Sequence, residues 1–239
     1  MTMKSRILAF LGLLLLGSLL SLGAAQAEDP YQPLRERMVS QQLQARGISD
    51  PRVLAAMTRT PRHLFVPEHL APLAYGDHPL PIGSGQTISQ PYIVALMTEW
   101  GEIKPGDKVL EVGTGSGYQA AILGELTDKV WTIDIRAELA EKAAKQLRAL
   151  GYEKVQVKSG DGYLGWPEAA PFDAILVTAG ATKMPPALEG QLREGGRLVI
   201  PVGPAGGPQT LMRFRKTQGK LQEETRVPVR FVPLVEPEK

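Results

Sequence analysis

The chain has 239 residues, with 27 Lys+Arg against 25 Asp+Glu, 43% hydrophobic residues and no cysteine. That composition argues against a disordered or fibrous chain, and the lack of cysteine excludes a disulfide scaffold, a Cys-ligated metal centre and a thiol nucleophile. A formal charge of +2 is too small for the basic patch of a nucleic-acid binder, so no nucleic-acid partner is expected.

Lys4 and Arg6 form a basic start, residues 7–23 are apolar and uncharged, and Ala25-Gln26-Ala27 is a small-x-small cleavage pattern. Together they predict an export signal over residues 1–27, cleaved after Ala27. The apolar run is barely long enough to span a bilayer, which takes about 17–25 residues, and the Ala-Gln-Ala ending favours a cleaved signal over an anchor. Its removal takes away two bases and no acid, leaving no net charge. The mature chain is expected to be periplasmic or otherwise exported, without a membrane segment, and monomeric.

From residue 34 to 46, Leu34, Met38 and Leu43 lie near helical spacing, and Gly47 ends the segment. Ser49-Asp50-Pro51 opens a second helix with Val53, Leu54 and Met57 on its apolar face. Residues 61–88, rich in Gly and Pro, read as an extended, loop-rich stretch. Ser89-Gln90-Pro91 resembles a cap ahead of a helix running to about Trp100, with Ser89 as N-cap. Thereafter short apolar strands (108–112, 130–133, 155–157, 174–177, 198–202) alternate with helices (118–126, 137–150, 185–192). This predicts an α/β fold, a doubly wound and mostly parallel sheet with helices on both faces, preceded by a helical extension. Residues 209–215 and 227–235 read as strands with no helix between them, a hairpin-like addition at the sheet edge. One domain over 28–239 is expected, divided into a helical segment (28–105) and the sheet (106–239).

The most informative stretch is Glu111-Val112-Gly113-Thr114-Gly115-Ser116-Gly117, which places glycines between a strand and a helix. Glycines there let the backbone approach a ligand and set helix N–H groups beside it. The spacing is G-x-G-x-G, neither the G-x-G-x-x-G of a dinucleotide loop nor a nucleoside-triphosphate loop ending in Gly-Lys-Ser/Thr. Glu111 at the strand end repels pyrophosphate and favours a cationic ligand. Asp134 ends the next strand, where an acid can hold both ribose hydroxyls, and Asp161 with Gly162 follows the third. Any one acid alone is better read as a solvated or turn residue; three at the carboxyl ends of strands form a pattern.

The E-x-G-x-G-x-G pattern resembles the S-adenosylmethionine loop of class I methyltransferases. Gly85-Gln86-Thr87-Ile88-Ser89-Gln90-Pro91, Pro171-Phe172-Asp173-Ala174-Ile175 and Arg197-Leu198-Val199-Ile200-Pro201-Val202-Gly203 add a narrower likeness, to the protein-L-isoaspartate O-methyltransferase family, from about residue 34 to 235. The resemblance implies a Rossmann-like fold, S-adenosyl-L-methionine as cofactor, and isoaspartyl-containing proteins and peptides as substrates. It implies methylation of the free α-carboxylate, with repair proceeding through a succinimide. It makes Ser89 the active-site residue; Glu111, Gly113, Gly115, Gly117, Asp134, Asp161 and Gly162 cofactor contacts; and Thr87, Ile88 and Val202 substrate contacts. It also sets Gln209-Thr210 where relatives close over the cofactor, although an edge-strand polar pair explains them as well. The family usually works in the cytoplasm, so an export signal departs from its pattern. Other readings are a methyltransferase for another carboxylate acceptor, or an inactive cofactor-binding relative. A serine hydrolase using Ser89, His78 and Asp77 lacks the G-x-S-x-G elbow, and His63, His69 and His78 lack metal-ligand spacing, so no metal is expected.

Overall fold

The computed structural model describes residues 29–235, so the signal expected over 1–27 lies outside the described residues. The first helical segment is not one regular helix. Gln32–Arg37 is α-helical (α1), Met38–Leu43 is a π-helix and Gln44–Arg46 a 3₁₀ turn, closed by Gly47 at φ 94°. The widened turn explains the irregularity: with about five residues per closed ring it brings Met38 and Leu43, both fully buried, onto one face. Pro51–Arg59 (α2) begins as expected, with Asp50 Oδ1 accepting from Arg52 N at 2.8 Å.

The stretch read as extended loop holds more structure than its composition suggests. Two 3₁₀ turns, Arg62–Phe65 and Glu68–Leu73, precede a small hairpin of Leu80–Gly83 (β1) and Gln86–Ile88 (β2). Its tip uses positive φ at Ser84 and Gly85, and the Ser84 hydroxyl donates to the Glu138 carboxylate. Pro91–Trp100 (α3) follows.

The main sheet comprises Lys108–Val112 (β3), Lys129–Asp134 (β4), Gln156–Ser159 (β5), Phe172–Val177 (β6), Leu192–Val202 (β7), Gln209–Thr217 (β8) and Lys220–Val229 (β9). Its order is β5-β4-β3-β6-β7-β8-β9, parallel from β5 to β7 and antiparallel beyond. Tyr118–Gly124 (α4), Ala137–Ala149 (α5) and Pro186–Gln191 (α6) connect the parallel strands. Along β3 the side chains alternate between two cores. Val109 packs with Val94, Tyr118 and Ile122, whereas Leu110 and Val112 pack with Leu188 and Ile200. Each such buried side chain contributes about 1.5–3 kcal/mol of transfer free energy.

Two boundaries differ most from expectation. β7 starts at Leu192 rather than 198, because residues around Gly195 (φ 74°) are absorbed as a bulge between the Phe172–Leu192 and Ala174–Arg197 pairs. The last strand begins at Lys220 and ends at Val229, not 235. Beyond it the chain leaves the edge and returns to β6, where Gly180 N donates to Val232 O and Leu234 N donates to Gly180 O, each at 2.8 Å. No helix among the described residues is long and apolar enough to cross a membrane.

Candidate active site

Strand order reverses between β3 and β6, with β4 lying on one side of β3 and β6 on the other, and this opens a crevice at their carboxyl ends. Thr178, just after β6, pins that junction: its N–H donates to Val112 O at 2.8 Å and its hydroxyl to Gly113 O at 2.6 Å. Gly113 has φ 107°, and a Cβ there would fall 2.5 Å from Thr178 Oγ1, so no other residue fits. Asp134 holds the loop from the other side, its Oδ2 accepting from Gly115 N at 2.8 Å and its Oδ1 from Arg136 N at 2.9 Å. Gly117 is the N-cap of α4 and faces Ala143 and Leu147 of α5.

Glu111 is fully buried on the α4 side of β3. Its Oε2 accepts from Thr132 Oγ1 at 2.6 Å; Oε1 has no hydrogen-bond partner among the described residues. Burial pushes its carboxyl up to about 8; the Thr132 hydrogen bond opposes that shift and the nearby Asp134 charge adds to it. An unpartnered buried carboxylate oxygen behind a glycine cradle suits a ligand carrying positive charge. These residues therefore fit the methionyl and sulfonium end of S-adenosylmethionine.

Ser89 meets that cradle from the opposite side. Thr87, Ile88 and Ser89 line a chamber of about 40 Å³ together with Glu111, Gly113 and Gly115. The Ser89 side chain is half-buried, and among the described residues its hydroxyl has no hydrogen-bond partner. It is not a helix cap: the N-cap of α3 is Gln90, which makes no side-chain cap bond, and Ser89 lies one position too early. Its main chain is fixed by Arg62, whose Nη2 donates to Ser89 O and Nε to Ala74 O, both at 2.7 Å. Arg62 is fully buried beneath the Tyr118 ring, at 4.9 Å, and burial lowers its pKa to about 10. Among the described residues Asp77 and His78 make no hydrogen bond to Ser89; Asp77 accepts from Arg46 and Gln90, and His78 Nδ1 meets Pro79 O.

Gly113 also lines a second chamber, of about 40 Å³, shared with Gln86, Asp134, Gly162 and Leu234. A Cβ on Gly162 would approach Val112 Cγ1 to 2.6 Å. Asp161 stands beside this chamber rather than in its lining, and its Oδ1 accepts from Tyr163 N at 2.8 Å. Val202 lines neither of these two chambers. It pairs with Thr210, bridges to Ala181 and packs on the second core. Gln209 faces the returning tail: its Oε1 accepts from Phe231 N at 2.6 Å and its Nε2 donates to Phe231 O at 3.3 Å.

On the outer side of Ser89 lies a cleft of about 810 Å³, bounded by Thr87, Tyr92, Thr178 and the tail residues Phe231 and Val232. Arg46 lies on its wall, stacked 3.6 Å over Tyr92 and paired with Asp77 at 3.0 Å. The sequence analysis gave Thr178, Arg62 and this tail no role in the site.

A parallel sheet with an acidic, glycine-rich turn at its switch point and an acid ending the neighbouring strand makes this a class I S-adenosylmethionine-dependent methyltransferase. The family model for protein-L-isoaspartate(D-aspartate) O-methyltransferase matches residues 34–239. Protein-L-isoaspartate O-methyltransferase of Opitutus terrae is 58% identical over 221 residues, 92% of this chain and 95% of the relative. Among solved structures, a protein-L-isoaspartate O-methyltransferase superposes with TM-score 0.76 at 31% identity, over 84% of this chain and 66% of that one. A putative protein-L-isoaspartate O-methyltransferase from Plasmodium falciparum in complex with S-adenosyl-L-homocysteine gives TM-score 0.73 at 26% identity, over 84% and 98%. The chain belongs to the protein-L-isoaspartate(D-aspartate) O-methyltransferase family.

Proposed function

We propose that the protein methylates the free α-carboxylate of L-isoaspartyl residues in damaged proteins and peptides, with Ser89 orienting the acceptor. The carrying observation is that Ser89 and Thr87 border both the wide outer cleft and the chamber of Glu111 and the glycine loop. When bound, the cofactor supplies an activated methyl group on a sulfonium. The acceptor needs no general base, because a carboxylate with an ordinary pKa of about 3.3–3.9 is ionised near neutral pH. The protein's task is alignment. Ser89 donates a hydrogen bond to one acceptor oxygen, Arg62 fixes the main chain that carries Ser89, and the glycine loop sets the donor opposite. Ile82 of the β1–β2 hairpin lies over Gly115 and helps keep water out.

The test is transfer of a tritium-labelled methyl group to matched aspartyl and isoaspartyl peptides. Label in the isoaspartyl peptide alone is expected; equal labelling of both, or of neither, overturns the assignment. We further propose that residues 1–27 direct export, supported by the basic start, apolar run and Ala-Gln-Ala ending. N-terminal sequencing of the mature protein after cell fractionation should begin at Glu28, and an intact Met1 in the cytosolic fraction would refute export.

A further inference from the structure

Arg62, at the start of a 3₁₀ turn, is fully buried and carries its charge without an anion. Its Nε donates to Ala74 O and its Nη2 to Ser89 O, both at 2.7 Å, and Nη1 has no hydrogen-bond partner among the described residues. The centre of the Tyr118 ring lies 4.9 Å from the guanidinium carbon. Two carbonyl dipoles and a ring face therefore solvate the cation. The side chains that act on it electrostatically are the phenols of Tyr118 and Tyr75, and no carboxylate among the described residues pairs with it. Burying a charge without a counter-ion is costly, and a neutral amide can bridge two carbonyls. A guanidinium at this position is better explained by what its charge does than by the cross-link alone.

The charge stands behind Ser89. Ser89 borders both the outer cleft and the chamber of the glycine loop, so a guanidinium bonded to its carbonyl lies within a residue's breadth of the place proposed for the acceptor. We propose that Arg62 is the electrostatic counterpart of the acceptor: its unpaired charge draws an ionised carboxylate to Ser89 and disfavours an uncharged group there. Arg62 is a positioning residue, acting through the Ser89 main chain and through its field. That field is weakly screened, because protein rather than water surrounds the guanidinium. The flow of charge sets the kinetic signature. As the carboxylate oxygen bonds to the methyl carbon, the sulfur–methyl bond breaks with its electron pair left on sulfur, and both charges disappear. A fixed cation thus stabilises the bound carboxylate more than the transition state, so it contributes to acceptor binding rather than to turnover. The inference rests on the acceptor proposed above.

The test is calorimetric binding of two peptides to the full chain saturated with S-adenosylhomocysteine. One peptide is isoaspartyl; in the other a carboxamide replaces the free α-carboxylate. Wild-type protein is expected to prefer the carboxylate by about tenfold or more. Arg62→Gln should weaken the isoaspartyl peptide about tenfold while leaving the carboxamide within about twofold, and in the methyl-transfer assay KM should rise with kcat held within about threefold. Equal weakening of both peptides, or a fall in kcat with KM unchanged, would reduce Arg62 to a cross-link and overturn the inference. A wild-type measurement decides the matter if Arg62→Gln folds poorly. Arg46 and Arg230 also line the cleft, and both are exposed. A preference arising from them fades with salt, whereas one arising from Arg62 persists from about 0.05 to 0.5 M. Loss of the preference over that range, or no preference at low salt, overturns the inference. Failure of the wild type to methylate the isoaspartyl peptide would instead overturn the acceptor assignment itself, and the inference with it.

Discussion

Among the described residues the carboxyl of Glu111 has one hydroxyl donor and no other partner, and this shapes how the free protein meets its cofactor. With its pKa near 8 the group is protonated at neutral pH, yet a cationic ligand favours the ionised form. Binding S-adenosylhomocysteine below pH 8 should release a proton, and affinity should tighten as pH rises from 6 to 8. Titration calorimetry in buffers of different ionisation enthalpy counts that proton; its absence, with a flat affinity profile, would refute the coupling. Ser89→Ala should lower methyl transfer roughly 10- to 100-fold while leaving cofactor affinity within twofold, because the proposed role of its hydroxyl is to orient the acceptor at the cleft that Ser89 borders. A matching loss of cofactor affinity would place Ser89 on the donor side. Asp134→Ala removes the acceptor of two loop N–H groups as well as any ribose contact. Hydrogen bonds to a charged group are worth about 1.5–3 kcal/mol, so cofactor Kd should rise roughly 10- to 100-fold.

Among the elements, the returning C-terminal tail depends most on a single side chain. Gln209, buried in β8, answers both main-chain groups of Phe231 as a neighbouring strand would, and packs against Gly180. The tail in turn borders both the acceptor cleft and the Asp134 chamber. Gln209→Leu leaves Phe231 N–H without its acceptor, at a cost of about 1–3 kcal/mol. The expected result is faster amide hydrogen exchange over residues 230–235 and a higher KM for isoaspartyl peptide, with β3 to β7 unchanged. Exchange spreading through β6 and β7 would mean that Gln209 supports the sheet rather than the tail. The π-helical turn at Met38–Leu43 and the bulge near Gly195 also belong at this scale. A periodicity read along one segment assumes a regular ring, and both features answer to a surface supplied by other elements.

For the whole molecule, the raised carboxyl of Glu111 sets a direction for stability against pH. Its folded-state pKa of about 8 lies above the ordinary 4.5, so the folded protein binds this proton more tightly than the unfolded chain. The contribution is intact below about pH 4.5, falls as pH rises, and is lost above about pH 8. The ligand-free wild type should lose unfolding temperature across that window more steeply than Glu111→Gln, and saturating S-adenosylhomocysteine should flatten the wild-type curve. Parallel profiles in the two proteins, by differential scanning fluorimetry, would show that Glu111 is not the group responsible.

Local chemistry alone determined much of this architecture. The strand Lys108–Val112, its glycine turn and the acid ending β4 are written in consecutive residues, because strand burial and glycine's freedom act over a few positions. The likeness carried by Gln86–Pro91 pointed to Ser89 for a similarly local reason. What only the tertiary structure decided is where distant segments meet. Folding places Gln119 beside Glu111, sets Arg62 beneath Ser89, carries the tail back to Gly180, and pairs Val202 with Thr210 in the sheet. Those contacts are settled by which faces the sheet buries and which hydrogen bonds remain unmet once it has formed, and neither quantity exists before the chain is folded.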